Sequence, residues 1–155
     1  MRIRSILPLA ASAVAIVAFS TPAQAVGNGY YLIHDAESGR CLNSGGGVFG
    51  GELGDCGSNS GWHAINLPNG SVQFHEANDE SRCLALSPLK IYPPAVAERE
   101  CDTSPDRWLI DGPSNGVGVA LSLDGASNLG TLTPQDDRAR LGGQGEHEWV
   151  LVRVG

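Results

Sequence analysis

The sequence predicts an all-β fold of about twelve short strands, arranged as three copies of one unit of roughly 40 residues. Three observations carry that expectation. Asn-Gly turns at Asn28-Gly29, Asn69-Gly70 and Asn115-Gly116 each open a stretch that closes on a tryptophan: Trp62, Trp108 and Trp149, the only three in the chain. Runs of β-branched and aromatic residues recur between turn signals, the pattern of short strands. Finally, 21 glycines and 9 prolines in 155 residues interrupt any helix every few positions. A unit repeated at this period cannot bury its apolar face alone, so the copies must share one core.

The first 25 residues stand outside the repeat. Arg2 and Arg4, an apolar run from Ile6 to Phe19 and the small-x-small triplet Ala23-Gln24-Ala25 are expected to form a secretory signal peptide over 1–25, cleaved after Ala25. Residues 26–155 are then a single domain with repeats at about 28–68, 69–114 and 115–155.

Within the repeats, Tyr30–His34, Val72–His75, Arg107–Ile110 and Glu148–Val152 read as strands, and Ala95–Glu100 and Arg138–Leu141 as strands preceding a tryptophan. Copies one and two share His34-Asp35-Ala36 with His75-Glu76-Ala77, then Arg40-Cys41-Leu42 with Arg82-Cys83-Leu84. Asn69–Pro88 aligns without a gap on Asn115–Pro134, which places Leu129 opposite Cys83 and Thr131 opposite Ala85.

The formal charge of −7, more acidic still once both leader arginines are lost, argues against nucleic acid and anionic membranes as partners. Four cysteines in an exported chain read as disulfides. Of three possible pairings the repeat selects Cys41–Cys56 and Cys83–Cys101, each inside one copy and worth about 3 kcal/mol. In the third copy Leu129 and Leu141 are expected to stand in for the bridge. No Cys-x-x-Cys occurs and the histidines are scattered, so no metal or other cofactor is expected.

Three copies of four strands, each with a tryptophan near its end, resemble the β-trefoil. The segments Gly39-Arg40-Cys41-Leu42 and Ser81-Arg82-Cys83-Leu84, with their in-copy cysteine pairs, resemble the ricin B-type lectin family. That family ends each copy in Gln-x-Trp; here the triplets are Ser60-Gly61-Trp62, Asp106-Arg107-Trp108 and His147-Glu148-Trp149. The resemblance implies that Trp62, Trp108 and Trp149 pack in the core and that the protein binds a glycan without catalysing a reaction.

A sugar pocket needs carboxylate or amide groups for vicinal hydroxyls and an aromatic face for the C–H side. Carried over position by position, the first copy retains the most: Asn43, Glu52, Asn59 and Ser60. The second retains Asp106 but has Ala85 where the family has an acid, and the usual aromatic platform falls on Gly54 or Arg99. Phe49 and Tyr92, in corresponding loops of copies one and two, are alternative stacking residues.

No nucleophile, metalloprotease or phosphate-loop motif is present, and the run Gly45–Gly51 reads as a flexible loop. His34 and His75 hold matching positions, which indicates structural work; His63 and His147 are expected on the surface, and Asp136-Asp137 in a solvated turn. Two further readings remain. One is a protein-binding trefoil, such as a protease inhibitor acting through Ser87–Ala95 with Lys90 and Tyr92 exposed; the other is an envelope or matrix protein that binds nothing specific.

Overall fold

The computed structural model describes residues 26–143 and 147–155; the expected leader over 1–25 lies outside the described residues. Twelve strands follow in order: β1 Gly29–Asp35, β2 Cys41–Asn43, β3 Glu52–Gly54, β4 Gly61–Asn66, β5 Val72–Glu76, β6 Asp79–Leu86, β7 Val96–Glu100, β8 Trp108–Asp111, β9 Val117–Leu123, β10 Thr131–Gln135, β11 Arg138–Gly143 and β12 Trp149–Arg153. All six runs read as strands from the sequence overlap strands of this set, with Ala95, Arg107 and Glu148 falling one residue ahead of β7, β8 and β12. Among the described residues no helix is long and apolar enough to cross a membrane.

Six strands close on themselves: β1 pairs with β4, β4 with β5, β5 with β8, β8 with β9, β9 with β12 and β12 with β1. Closure leaves no free sheet edge in this barrel. The remaining six form one hairpin per copy, β2–β3, β6–β7 and β10–β11. The hairpins meet in a triangle. Glu52 pairs with Arg138, Ala95 bridges Arg140, and Gly50 lies against Ala97.

Alternation along the barrel strands explains the core. Tyr31, Ile33 and Asp35 point inward from β1, and Val119, Leu121 and Leu123 from β9. The three tryptophans are fully buried. Each indole Nε1–H donates at 2.9 Å to a backbone carbonyl of its own copy: Trp62 to Leu42, Trp108 to Leu84 and Trp149 to Leu132. The expected disulfides Cys41–Cys56 and Cys83–Cys101 are both formed.

The third copy corrects the ungapped alignment. Cys41 pairs with His34 and Cys83 with His75, but their counterpart Thr131 pairs with Ser122. The link between these partners lengthens by one residue from each copy to the next, and in the third it contains a 3-10 turn at Ser127–Leu129. Counting from the Asn-Gly turn therefore slips by two residues. Thr131 holds the cysteine's place, Thr133 holds that of Asn43 and Ala85, and Leu129 is not a replacement for Cys83.

The run Gly45–Gly51 is exposed over most of its length but ends packed, with Gly50 and Gly51 buried. A 3-10 turn spans Gly47–Phe49, and Gly50 and Gly51 after it approach Val96 and Ala97 of β7 closely. A Cβ on Gly50 would come within 2.6 Å of Ala97 Cα, so glycine is what permits this approach.

One position breaks the repeat inside the core. Leu42 faces Leu53 and Leu132 faces Leu141, yet Leu84 faces Glu98. Glu98 is only 4% exposed, and its Oε1 has no hydrogen-bond partner among the described residues. Burial pushes its carboxyl above the usual range, the backbone N–H groups of Glu98 and Gly45 partly oppose that, and nearby Glu76 adds to the rise. A raised value means that the protonated form fits the fold, so this stabilisation is lost as pH climbs through the folded-state value. Glu98→Leu is expected to stabilise the protein by about 1–3 kcal/mol. Urea denaturation at several pH values checks this, with the gain largest on the alkaline side.

Candidate functional site

The site is assembled where the first and third hairpins meet. Asn43 on β2 and Glu52 on β3 are direct cross-strand partners, so their side chains leave the same face of the hairpin. Opposite them stands the tight turn of β10–β11, where Asp136 adopts a positive φ of 55°. Together Asn43, Glu52, Leu53, Gly54, Asp137 and Arg138 line an open cleft of about 420 Å³.

Arg138 organises this cleft. Its Nη2 approaches Glu52 Oε1 at 3.6 Å, and its Nη1 donates to the carbonyls of Phe49 at 2.5 Å and Gly50 at 3.3 Å. The same guanidinium lies 5.9 Å from the centre of the Phe49 ring, within cation–π range. One arginine thus contacts both the acid of the cleft and the exposed Phe49 ring. Arg40 holds the other wall, donating to Asp137 Oδ1 at 3.1 Å and to the Asp136 carbonyl at 2.8 Å. The side chains of Glu52 and Asp137 remain 52% and 93% exposed, leaving most of their lone pairs to solvent or ligand.

The residues singled out in the sequence separate into two groups. Asn43 and Glu52 line the cleft, and Phe49 is joined to it only through Arg138. Ser60 is fully buried behind it, donating to Asn43 Oδ1 at 2.5 Å and accepting from Gly57 N at 2.8 Å. It positions the amide and does not face a ligand. Asp106, at the corresponding place in copy two, accepts from Asp102 N at 2.6 Å, but with Ala85 in place of Asn43 it has no amide to orient. It is 3% exposed and lines a separate shallow cleft with Asp102, Arg107 and Asp124. Asn59 is exposed, and its carbonyl accepts from Ser44 N at 2.8 Å. Tyr92 does not line the cleft. It is 89% exposed on the neighbouring loop, whose base is closed by Ser87 N donating to Ala95 O at 2.9 Å. Neither aromatic folds back as a cap.

Asn43 is less free than its position implies. Its Nδ2 donates to Asp55 O at 3.2 Å while Oδ1 takes the Ser60 hydroxyl, so the amide also ties the disulfide loop to β2. At the corresponding positions copy two pairs Ala85 with Ala97, and copy three pairs Thr133 with Arg140. Only the first copy sets an amide beside an acid.

The histidines fall into distinct roles. His34 Nδ1 lies 3.2 Å from Gly39 O and His75 Nδ1 lies 2.7 Å from Glu80 O, and each ring packs on its copy's disulfide. Their clustering with cysteines is not a metal site, because disulfide sulfurs are not thiolate ligands. His63 stacks flat on Tyr30 at 4.5 Å, and both rings reach Glu80 Oε1. His147 is not a surface residue; its side chain is 16% exposed, and Nε2 bonds Asp35 Oδ1 at 2.6 Å.

Asp137 and Arg138 were not legible as site residues. Both belong to the third copy, and only the contact between hairpins brings them to Glu52.

No family model matches the chain, and no curated protein matches it in sequence. Solved structures do match in fold. A designed threefold-symmetric protein, ThreeFoil, superposes with a TM-score of 0.61 at 15% identity, covering 81% of this chain and 99% of its own. SeviL, solved bound to asialo-GM1 saccharide, gives 0.62 at 16% identity over 83% of this chain and 100% of its own. The Rhizoctonia solani agglutinin gives 0.59 at 12% identity over 84% and 98%. The barrel, the three hairpins and these likenesses agree: the chain folds as a β-trefoil, the architecture shared by these lectins.

Proposed function

We propose that this protein is a secreted carbohydrate-binding protein of lectin type, without catalytic activity, and that the cleft between the first and third hairpins holds the sugar. The observation that carries the reading is the juxtaposition of Asn43, Glu52 and Asp137 with Phe49 through Arg138. Carboxylates and an amide serve vicinal hydroxyls, and an aromatic rim serves the C–H face of a pyranose. A fold neighbour solved with a saccharide supports the ligand class. The leader over 1–25 and the two disulfides support export, with 26–155 as the mature domain. The acidic balance supports a partner other than nucleic acid or an anionic membrane.

Glu52→Ala is expected to weaken glycan binding about tenfold to a hundredfold, as loss of a charge-assisted hydrogen bond of about 1.5–3 kcal/mol requires. A glycan array followed by calorimetry on the best binder measures it. Silence of the native protein across neutral, galactose-type and cell-wall glycans would refute the proposal, as would an undiminished Glu52→Ala variant.

A second reading rests on the loop Ser87–Ala95. Lys90 and Tyr92 stand exposed there on a pinned base, the form of a protease-binding loop. Inhibition of trypsin-like or chymotrypsin-like proteases, abolished by Lys90→Ala or Tyr92→Ala, would favour it; no inhibition by the native protein removes it.

A further inference from the structure

We infer that the Cys41–Cys56 bridge is a thiol-exchange site: a low-molecular-weight thiolate attacks Cys56, and opening the bridge releases the Asn43 amide of the cleft. The exchange stands on its own residues; only its effect on sugar binding rests on the glycan reading of the cleft.

In such an exchange a thiolate must reach one sulfur while the other leaves. Cys56 is exposed, within a run of exposed residues from Asp55 to Asn59. Cys41 is fully buried. The second bridge is better protected. Cys101 is half-buried, and its N–H donates to Ser81 O at 3.0 Å. Direct cross-strand partners share a face, so the Arg99 side chain leaves its hairpin on the same side as Cys83. At the matching rung Cys41 faces Gly54, which has no side chain to cover it.

His34 sits where the leaving sulfur needs a proton. Its Nε2 lies 3.7 Å from Cys41 Sγ, while its Nδ1 lies 3.2 Å from Gly39 O and 4.0 Å from Cys56 Sγ. A hydrogen on Nδ1 serves the Gly39 carbonyl, so a protonated ring turns its second N–H toward Cys41. The step then balances. The incoming thiolate forms a bond to Cys56 Sγ, the Cys41–Cys56 bond breaks, and its electron pair goes to Cys41 Sγ. The Nε2 proton passes to that sulfur. The products are a mixed disulfide at Cys56, a Cys41 thiol and a neutral imidazole.

The bridge also clasps the cleft. Asn43 Nδ2 donates to Asp55 O at 3.2 Å, and its Oδ1 accepts from the Ser60 hydroxyl at 2.5 Å. Both partners lie on the segment that Cys56 fastens to β2. Opening the bridge frees that segment at its Cys56 end and leaves the amide without a fixed orientation. The hairpin itself does not need a bridge: the third copy forms one with Thr131 at the cysteine's place and no cysteine at all.

The probe is cysteamine, whose ammonium suits the acidic Asp55 and offsets the attraction of Arg99 for a thiolate. The full native chain is incubated with it, quenched in acid, unfolded, alkylated and peptide-mapped. Cysteamine is expected on Cys56 and the alkyl label on Cys41, with Cys83–Cys101 opening about tenfold or more slowly. In urea the two bridges should react alike. His34→Ala is expected to slow the exchange about tenfold or more, whereas lost packing alone would expose the bridge and speed it. The thiolated protein should keep its native circular dichroism while losing about tenfold in affinity for the best array glycan.

Equal or faster opening of Cys83–Cys101, thiolation at Cys41 in place of Cys56, a preference that persists in urea, an unslowed His34→Ala variant, or no exchange would each overturn the exchange site. Unfolding on thiolation, or undiminished glycan binding, would overturn its coupling to the cleft. If the native chain binds no glycan, the proposed function fails and the peptide map still decides the exchange.

Discussion

Trp62→Ala is expected to lower the unfolding free energy by about 3–5 kcal/mol, the range for removing a large aromatic side chain from a packed core. Trp62 is fully buried, and its indole donates to the Leu42 carbonyl at 2.9 Å. Trp62→Phe separates packing from hydrogen bonding. It keeps an aromatic ring but strands that carbonyl, which adds about 1–3 kcal/mol to the loss. Urea denaturation of both variants, and of the matching Trp108 and Trp149 variants, measures the symmetry directly. Losses of similar size at all three positions are expected, because all three indoles make the same bond. A Phe variant as stable as the native protein would mean that the bond contributes nothing.

Asp35→Ala is the second large loss, about 3–5 kcal/mol, because several hydrogen bonds to a charged group are lost at once and their buried donors are left unpaired. Asp35 is 3% exposed, yet it accepts from the N–H groups of Glu37 and Ser38, both at 3.2 Å, from the Ser38 hydroxyl, and from His147 Nε2 at 2.6 Å. These bonds fasten the β1–β2 turn and dock the entry to β12 on it. Burial alone would raise its carboxyl, but the bonds from Ser38, His147 and the backbone outweigh burial and hold it below the ordinary 3.8. A depressed value contributes stability that is complete above the unfolded-state value and is lost as pH falls through the folded-state one. The gap between native protein and Asp35→Asn should therefore be widest at neutral pH and shrink in acid. Thermal melts across that range check it; a gap independent of pH would contradict the assignment.

Much of the fold is legible in the chain because its determinants are local. Runs of β-branched and aromatic residues mark β1, β5, β8 and β12, whereas Val117–Leu123 of β9 does not stand out in the sequence. In-copy cysteines identify their own partners because the repeat brings matching residues into matching places. The tryptophans are legible as core for the same reason. The third copy misleads at Thr131 because loop length is weakly constrained. Extra residues enter a surface turn at little cost, so an alignment anchored on the Asn-Gly turn drifts before it reaches β10.

The candidate site is legible in part. Asn43 and Glu52 flank one hairpin, and their pairing follows from its register. Arg138 and Asp137 lie some 85 residues further along and meet them only through the closed triangle of hairpins. Ser60 and Asp106 carry the polarity of a binding residue, but burial decides their role, and burial depends on the fold of the loop after each disulfide. Glu98 looks like an ordinary surface acid in Ala97-Glu98-Arg99. Only its opposition to Leu84 shows that it occupies a leucine's place.

The most direct measurement of the central claim is an amide-resolved NMR titration of the isotope-labelled protein with the best glycan-array binder. Saturable shifts at Asn43, Glu52, Gly54, Asp137 and Arg138, absent in Glu52→Ala, are the predicted result. Shifts confined to the loop Ser87–Ala95, or no saturable shifts with any array glycan, would contradict it.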